Sequence, residues 1–285
     1  LVRIVVSKYG NVYDNEVDEI LNTMLECYSR LMPHEVSLVD LYLFERSSSV
    51  EAFLRSECEE LGVMVTPFAE AFFSTHDAWR GVPRVTICLE KVRALPKLVK
   101  LGGIRHEVAH TVLHGSLEYY LIQPPSSLLE VANQFSLPQE CTRSILYLVS
   151  VAVKDYEATR LLYSRGYVED QVEYAKFLLR VSEDDVISWE LSKGNPLLKA
   201  LYLISILKTV GCVAPLLNDM RFGRELKQLL VESLSYLPRE LSTIILKFAE
   251  EEFPTLGVNT LENIDNIMHK CDQIFKAVLK CVSRK

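Results

Sequence analysis

His106-Glu107-Val108-Ala109-His110 has the residue types and the spacing for metal chemistry. On a helix, positions four apart share a face, so the two imidazoles can hold one ion between them. Glu107 then lies beside that ion, where a carboxylate can take a proton from a water that the ion has made acidic. The pattern H-E-x-x-H therefore offers two ligands and a catalytic base within one turn and a bit of helix. The chemistry would be metal-assisted hydrolysis, and Zn2+ is the ion that suits imidazole and carboxylate donors.

A catalytic zinc needs a third protein ligand and one position left open for water. His114 extends the spacing to H-x-x-x-H-x-x-x-H, but eight residues of helix rise about 12 Å, too far for one tetrahedral ion. His114 is expected to orient or pack against the ligands instead. The third donor is sought on a later helix, in the segment Lys154-Asp155-Tyr156-Glu157-Ala158-Thr159-Arg160-Leu161-Leu162. Asp155 and Glu157 both qualify. Two apart on a helix, they point roughly 200° from one another, so only one can face the ion.

Two segments resemble a known group of enzymes. His106 to Gly115 (HEVAHTVLHG) resembles the active helix of ImmA/IrrE-type intracellular metallopeptidases, where Leu-His often follows the second ligand. Asp155 to Leu161 (DYEATRL) resembles the E-x-E-A-[ND]-R-x segment of that family and of the CAAX-processing type. The resemblance implies a zincin-like, gluzincin-type domain and zinc-dependent hydrolysis of peptide bonds. It also implies that Asp155, in the place of the segment's first acidic residue, is the third ligand beside His106 and His110. Glu157, Ala158 and Arg160 match as well. Two residues depart from the pattern. Asp155 is shorter than the usual Glu, so its helix would have to sit closer to the ion. Thr159 stands where Asn or Asp is common, which alters an orienting hydrogen bond. The N-terminal strands and the C-terminal helices lie outside the resemblance.

The expected reading is a zinc metallopeptidase with Glu107 as its base and a peptide or protein as substrate. The alternative is a zincin fold that binds zinc without cleaving peptides and acts as a regulatory or interaction protein. An oxyanion donor is open among His76, His114, Tyr119, Tyr120, Tyr163 and Tyr167.

The elements that must position these residues show in the hydrophobic periodicity. Residues 2–6 alternate weakly, as a short strand does. Asp14 to Leu31 carries Val17, Ile20, Leu21, Met24, Leu25 and Tyr28 at helical spacing, and Pro33 ends it. Val36 to Phe44 reads as a strand and Ser49 to Leu61 as a helix closed by Gly62. Thr66 to Pro83 reads as irregular. Arg84 to Glu90 (RVTICLE) reads as a strand, either a core strand or an edge that a substrate backbone could pair with. A helix follows from Pro96 to His114, with Gly115 as its stop. Gly102-Gly103 inside it mark a kink, a break, or the close approach of another backbone. Beyond residue 115 nearly everything reads as helix. The fold class is thus α+β: a mixed part at 1–165 with a small sheet, which the resemblance implies is zincin-like, then an all-helical part at 166–285.

Composition sets the class. The chain has 285 residues, 49% hydrophobic and 24% charged, as in ordinary globular domains. A net charge of −7 without a Lys/Arg stripe argues against nucleic acid and anionic membranes as partners. Seven widely spaced cysteines with no C-x-x-C pair suit reduced thiols in a cytoplasmic protein. The opening residues Leu1 to Val6 turn polar too soon for a secretory leader. Leu197 to Leu217 is the most apolar stretch. Lys199, Lys208, Gly211 and Pro215 interrupt it, so a buried helix is expected rather than a membrane span.

Overall fold

The computed structural model describes residues 2–62 and 73–280. The architecture is α+β, with one small mixed sheet near the N-terminus and a helical C-terminal part. The chain forms two compact units. One comprises Leu1–Leu121 with Ser164–Tyr174, and the other Ile122–Tyr163 with Ala175–Lys285. These units do not coincide with the expected halves 1–165 and 166–285. The stretch 122–163 belongs with the later helices, and 164–174 returns to the first unit.

The first unit opens with β1 (Arg3–Tyr9), α1 (Asp14–Arg30), β2 (Leu38–Phe44) and α2 (Ser47–Leu61). It continues with β3 (Ser74–Asp77), β4 (Arg84–Cys88), the short α3 (Leu89–Val92) and α4 (Lys97–His114). The strand order is β1-β2-β4-β3. β1, β2 and β4 run parallel, and β3 returns antiparallel to β4 with His76 opposite Val85. β1 is longer than its weak alternation suggests, because all seven of its residues find partners along β2.

Three expectations change here. The irregular stretch before Arg84 contains β3, while Thr66 to Phe72 fall outside the described residues. Its sequence, Ser-Thr-His-Asp, has no apolar alternation, so pairing with β4 and not propensity makes it a strand. The strand at Arg84 ends at Cys88, and Leu89-Glu90 begin α3 instead. β4 is also no edge. It lies between β2 and β3 with all five residues buried, so among the described residues β3 is the edge strand on that side.

Alternation sorts the side chains of the sheet. Cys88 and Phe44 pack with Val50 and Leu54 of α2. Leu41, Leu43, Val85 and Ile87 alternate with these and are fully buried. Arg84 lies on the α2 face, and its guanidinium is held by Asp77 of β3 and Glu57 of α2. That buried ion pair fixes the short edge strand to both its neighbour and α2.

The second unit begins with α5 (Ser126–Phe135) and the 26-residue α6 (Gln139–Ser164), whose last residue returns to the first unit. α7 (Glu169–Leu178) starts in the first unit and ends in the second. Then follow α8 (Glu183–Ser192), α9 (Pro196–Val213), α10 (Gly223–Ser233), α11 (Arg239–Lys247), α12 (Thr260–Lys270) and α13 (Asp272–Lys280). Asn195 caps the N-terminus of α9 through its side-chain oxygen, and Asn259 does the same for α12. The stretch Pro196–Leu216 is long and apolar enough to cross a membrane by length and composition, and half of its most apolar window is buried. Within the unit α9 packs against α8 and α13.

Candidate metal centre

α4 carries the H-E-x-x-H residues, and four attachments fix its position within the first unit. Tyr28 of α1 donates its hydroxyl to Thr111, 2.6 Å away, and Thr111 donates in turn to the carbonyl of Val108. Arg105 bridges Asp170 at 2.8 Å and Glu26 at 3.1 Å, and lies over the ring of Tyr167. A Cβ at Gly102 would stand 2.5 Å from the carbonyl oxygen of Asp170. One at Gly103 would stand 2.1 Å from the ring of Phe73. The glycine pair therefore marks a close approach inside an unbroken helix, where the bare backbone admits the 170–174 segment and Phe73. Gln171 completes the contact by donating to the carbonyl of Gly102 at 3.0 Å.

The two candidate ligands come together as the spacing predicts. His106 and His110 are buried, and their Nε2 atoms lie 3.0 Å apart. Two nitrogens bound to one tetrahedral zinc lie about 3.3 Å apart, so the imidazole pair fits such an ion with little adjustment. The other nitrogen of His110 is 3.2 Å from Nδ1 of His114. His114 is fully buried, and it sets the orientation of the His110 ring.

Glu107 lies between α4 and the edge strand. Ser74 and His76, two apart on β3, share one face and both reach it. The Ser74 hydroxyl donates to Oε1 at 2.9 Å, and Nδ1 of His76 lies 2.7 Å from Oε2. Burial alone would raise the Glu107 carboxyl. The His76 hydrogen bond, the charges of His76 and His106 and the Ser74 hydroxyl outweigh it and hold the group below the usual carboxylate range. Glu107 is thus an acceptor with lone pairs to spare, since a carboxylate has room for about four donors. The His76 ring is also stacked on His110, with centroids 3.7 Å apart and planes at 12°.

The residues considered as oxyanion donors lie in different surroundings. His76 is committed to Glu107. The hydroxyl of Tyr167 donates to Glu26 and that of Tyr163 to Asp219. Tyr119 and Tyr120 lie beside the histidines: the Tyr119 ring meets His114 edge-on, and Tyr120 lies near His76 and Trp79.

Asp155 and Glu157 belong to the second unit, on the buried middle of α6. They have different surroundings there. Glu157 accepts from Thr260 Oγ1 at 2.8 Å and from Asn263 Nδ2, so its carboxylate ties α6 to α12. Arg160 donates to the carbonyls of Leu256 and Gly257, holding the turn that leads into α12. Asp155 faces α9, where its carboxylate lies within 4.8 Å of the sulfur of Cys212. Lys154, next in the chain, is buried, and burial pushes its ammonium down to about 8 against the pull of Asp155 and Glu157. Cys212 carries no sequence motif. The one hint of it was Gly211 beside it, a small residue in an apolar helix that allows another helix to come close.

Compared with known proteins, the chain matches no protein-family model, no curated protein and no solved structure.

Proposed function

We propose that this protein is a zinc-dependent metallopeptidase of zincin type, in which His106, His110 and Asp155 hold the ion and Glu107 is the general base. The observation that carries the reading is the pair of buried Nε2 atoms 3.0 Å apart with a buried Glu107, held by Ser74 and His76, in the same turn of α4. The resemblance of DYEATRL to the third-ligand segment of ImmA/IrrE-type and CAAX-processing peptidases supplies Asp155. The engagement of Glu157 with Thr260 and Asn263 supports Asp155 over Glu157.

Zinc, when bound, would supply Lewis acidity toward a water and a peptide carbonyl. Glu107 accepts the proton of the attacking water and passes it to the leaving amine. Ser74 and His76 keep the carboxylate aimed while it does so. His114 keeps the His110 ring in its ligating orientation. β3, as the edge strand, is where a peptide backbone would add to the sheet. In this reading the substrate is a peptide or protein in the cytoplasm, and α9 is a core helix of the second unit.

Two variants test the reading. Glu107→Gln should keep zinc and lose hydrolysis by a factor of roughly a hundred or more. His110→Ala should lose the ion, as elemental analysis of the purified protein reports. Full zinc in His110→Ala would refute the ligand set. Undiminished cleavage by Glu107→Gln would refute the base. Stoichiometric zinc with no cleavage by the parent protein across peptide libraries would favour a zinc-binding regulatory protein.

A further inference from the structure

Gln171, near the start of α7, sits on α4 one turn before the first histidine of H-E-x-x-H, inside the first unit. Its side chain is buried, at 1% exposure. The amide nitrogen donates to the carbonyl of Gly102 at 3.0 Å, which leaves the amide oxygen turned away from that carbonyl. This oxygen, Oε1, is buried and has no hydrogen-bond partner. A buried acceptor without a donor is costly, so such an atom calls for a donor.

His106 is placed to supply one. Cβ atoms on a helix lean toward its N-terminus, so the imidazole of His106 leans over the turn that contains Gly102. α7 meets the same turn. A Cβ at Gly102 would stand 2.7 Å from the Cβ of Tyr174, and the Tyr174 and His106 rings lie 5.5 Å apart. His106 turns Nε2 toward His110, and its Nδ1 is closed off from solvent.

We propose that Gln171 is the positioning residue of His106: its Oε1 accepts a hydrogen bond from Nδ1–H when Nε2 carries the metal ion. The inference rests on the part of the metallopeptidase reading that puts an ion on His106 and His110, and on nothing outside the first unit. A neutral imidazole that ligates through one nitrogen carries its proton on the other. Here that proton sits on a buried nitrogen, and Oε1 is a buried acceptor beside the same turn of α4. The bond fixes both the tautomer and the ring plane of His106, and it makes Nε2 the better donor to the ion. The two histidines are then oriented from different elements, His110 by His114 within α4 and His106 by Gln171 from α7.

Zinc affinity of the full chain, measured by competition with a chelator, tests this. Gln171→Met and Gln171→Glu both lose the amide donor to Gly102, and only Gln171→Glu keeps an acceptor. Gln171→Met should bind zinc roughly 10–100-fold more weakly than the parent, and Gln171→Glu should recover most of that loss. The Tm of the metal-free proteins reads any packing role separately. In the unmutated protein with 15N-labelled histidines, zinc should hold His106 in the Nδ1–H tautomer with a proton that exchanges slowly with solvent, a readout that needs no variant to fold. Three results would each overturn the role of Gln171: parental zinc affinity in Gln171→Met, no tighter binding by Gln171→Glu than by Gln171→Met, or fast exchange of the His106 Nδ1 proton. Zinc binding that still falls in His110→Ala would then leave the metallopeptidase reading standing. Zinc binding unaffected by His110→Ala would overturn both.

Discussion

At the scale of single residues, the sequence motif and the structure carry different parts of the chemistry. The spacing of His106, Glu107 and His110 is a property of one helix, so it was legible without knowledge of the fold. The grip on Glu107 was not. His76 lies 31 residues upstream of it and Ser74 lies 33 upstream, and only the antiparallel return of β3 brings them to it. The choice between Asp155 and Glu157 could not be read from periodicity either. Both lie on the buried middle of α6, and what separates them is whether the neighbour is Asn263 or Cys212. This predicts opposite phenotypes for two conservative changes. Glu157→Gln should leave zinc content unchanged and destabilise the protein by about 1–3 kcal/mol in denaturant unfolding, because a charge-assisted pair of hydrogen bonds to α12 is weakened. Asp155→Asn should change stability less in the absence of metal and cut zinc content sharply. If Glu157→Gln loses zinc while Asp155→Asn keeps it, the assignment of the third ligand is reversed.

At the scale of elements, the helices were legible because their apolar stripes are long, as in α1, and because Gly62 closes α2 in the left-handed conformation at φ 65°. β3 was not legible. Four residues with no alternation carry no local signal, and an edge strand of that length exists only through its partner. Arg84 was equally silent: a charged residue at the start of a strand reads as a solvated end, yet here it is the buried centre of a cluster joining β3, β4 and α2. The glycines of α4 are open to a direct test. Gly102→Ala gains helix propensity of about 1 kcal/mol, but it drives a methyl into a backbone carbonyl that cannot rotate away. The net expectation is a loss of about 1–3 kcal/mol and a lower Tm. Gly194, ahead of α9, has open space where its Cβ would go, so Gly194→Ala should leave Tm nearly unchanged. A Gly102→Ala protein as stable as the parent would show that α4 and the 170–174 segment are less closely packed than described.

At the scale of the whole chain, the acidic balance has a pH consequence that follows from where its carboxylates are bound. Glu16 is gripped by both ends of the Arg93 guanidinium at 2.7 and 2.9 Å, and the hydrogen bond from Arg93 is the main cause that holds its carboxyl below the ordinary 4.5. Burial would raise Glu57, but the bonds from Arg84 and Arg80 more than offset it and leave that group lowered as well. A carboxyl lowered in the folded state contributes stability that is fully present above its unfolded value and is lost as pH falls through the folded one. Thermal melts should therefore show the parent protein more stable than Glu16→Gln at neutral pH, by about 1 kcal/mol or less for so exposed a pair. The difference should shrink as the pH drops below 4.5. A difference that grows on acidification would contradict the assignment.

The return of residues 164–174 to the first unit also bears on how the protein is made. The chain passes between the units at 121, again at 163 and again at 174. A ribosome delivers the sheet and α4 long before it delivers Gln171 and Tyr174, so the notch at Gly102-Gly103 stays open to solvent until all of α6 has been synthesised. The nascent H-E-x-x-H helix thus waits for a segment that lies beyond the second unit's longest helix. A fragment stopped at residue 165 would carry every sequence hallmark of the first unit and still lack the piece that fills its helix. Such a fragment should be more readily cut by protease near α4 than the full chain, and a synthetic peptide covering 164–178 added in trans should restore protection. If the peptide makes no difference, the segment is not what completes the unit.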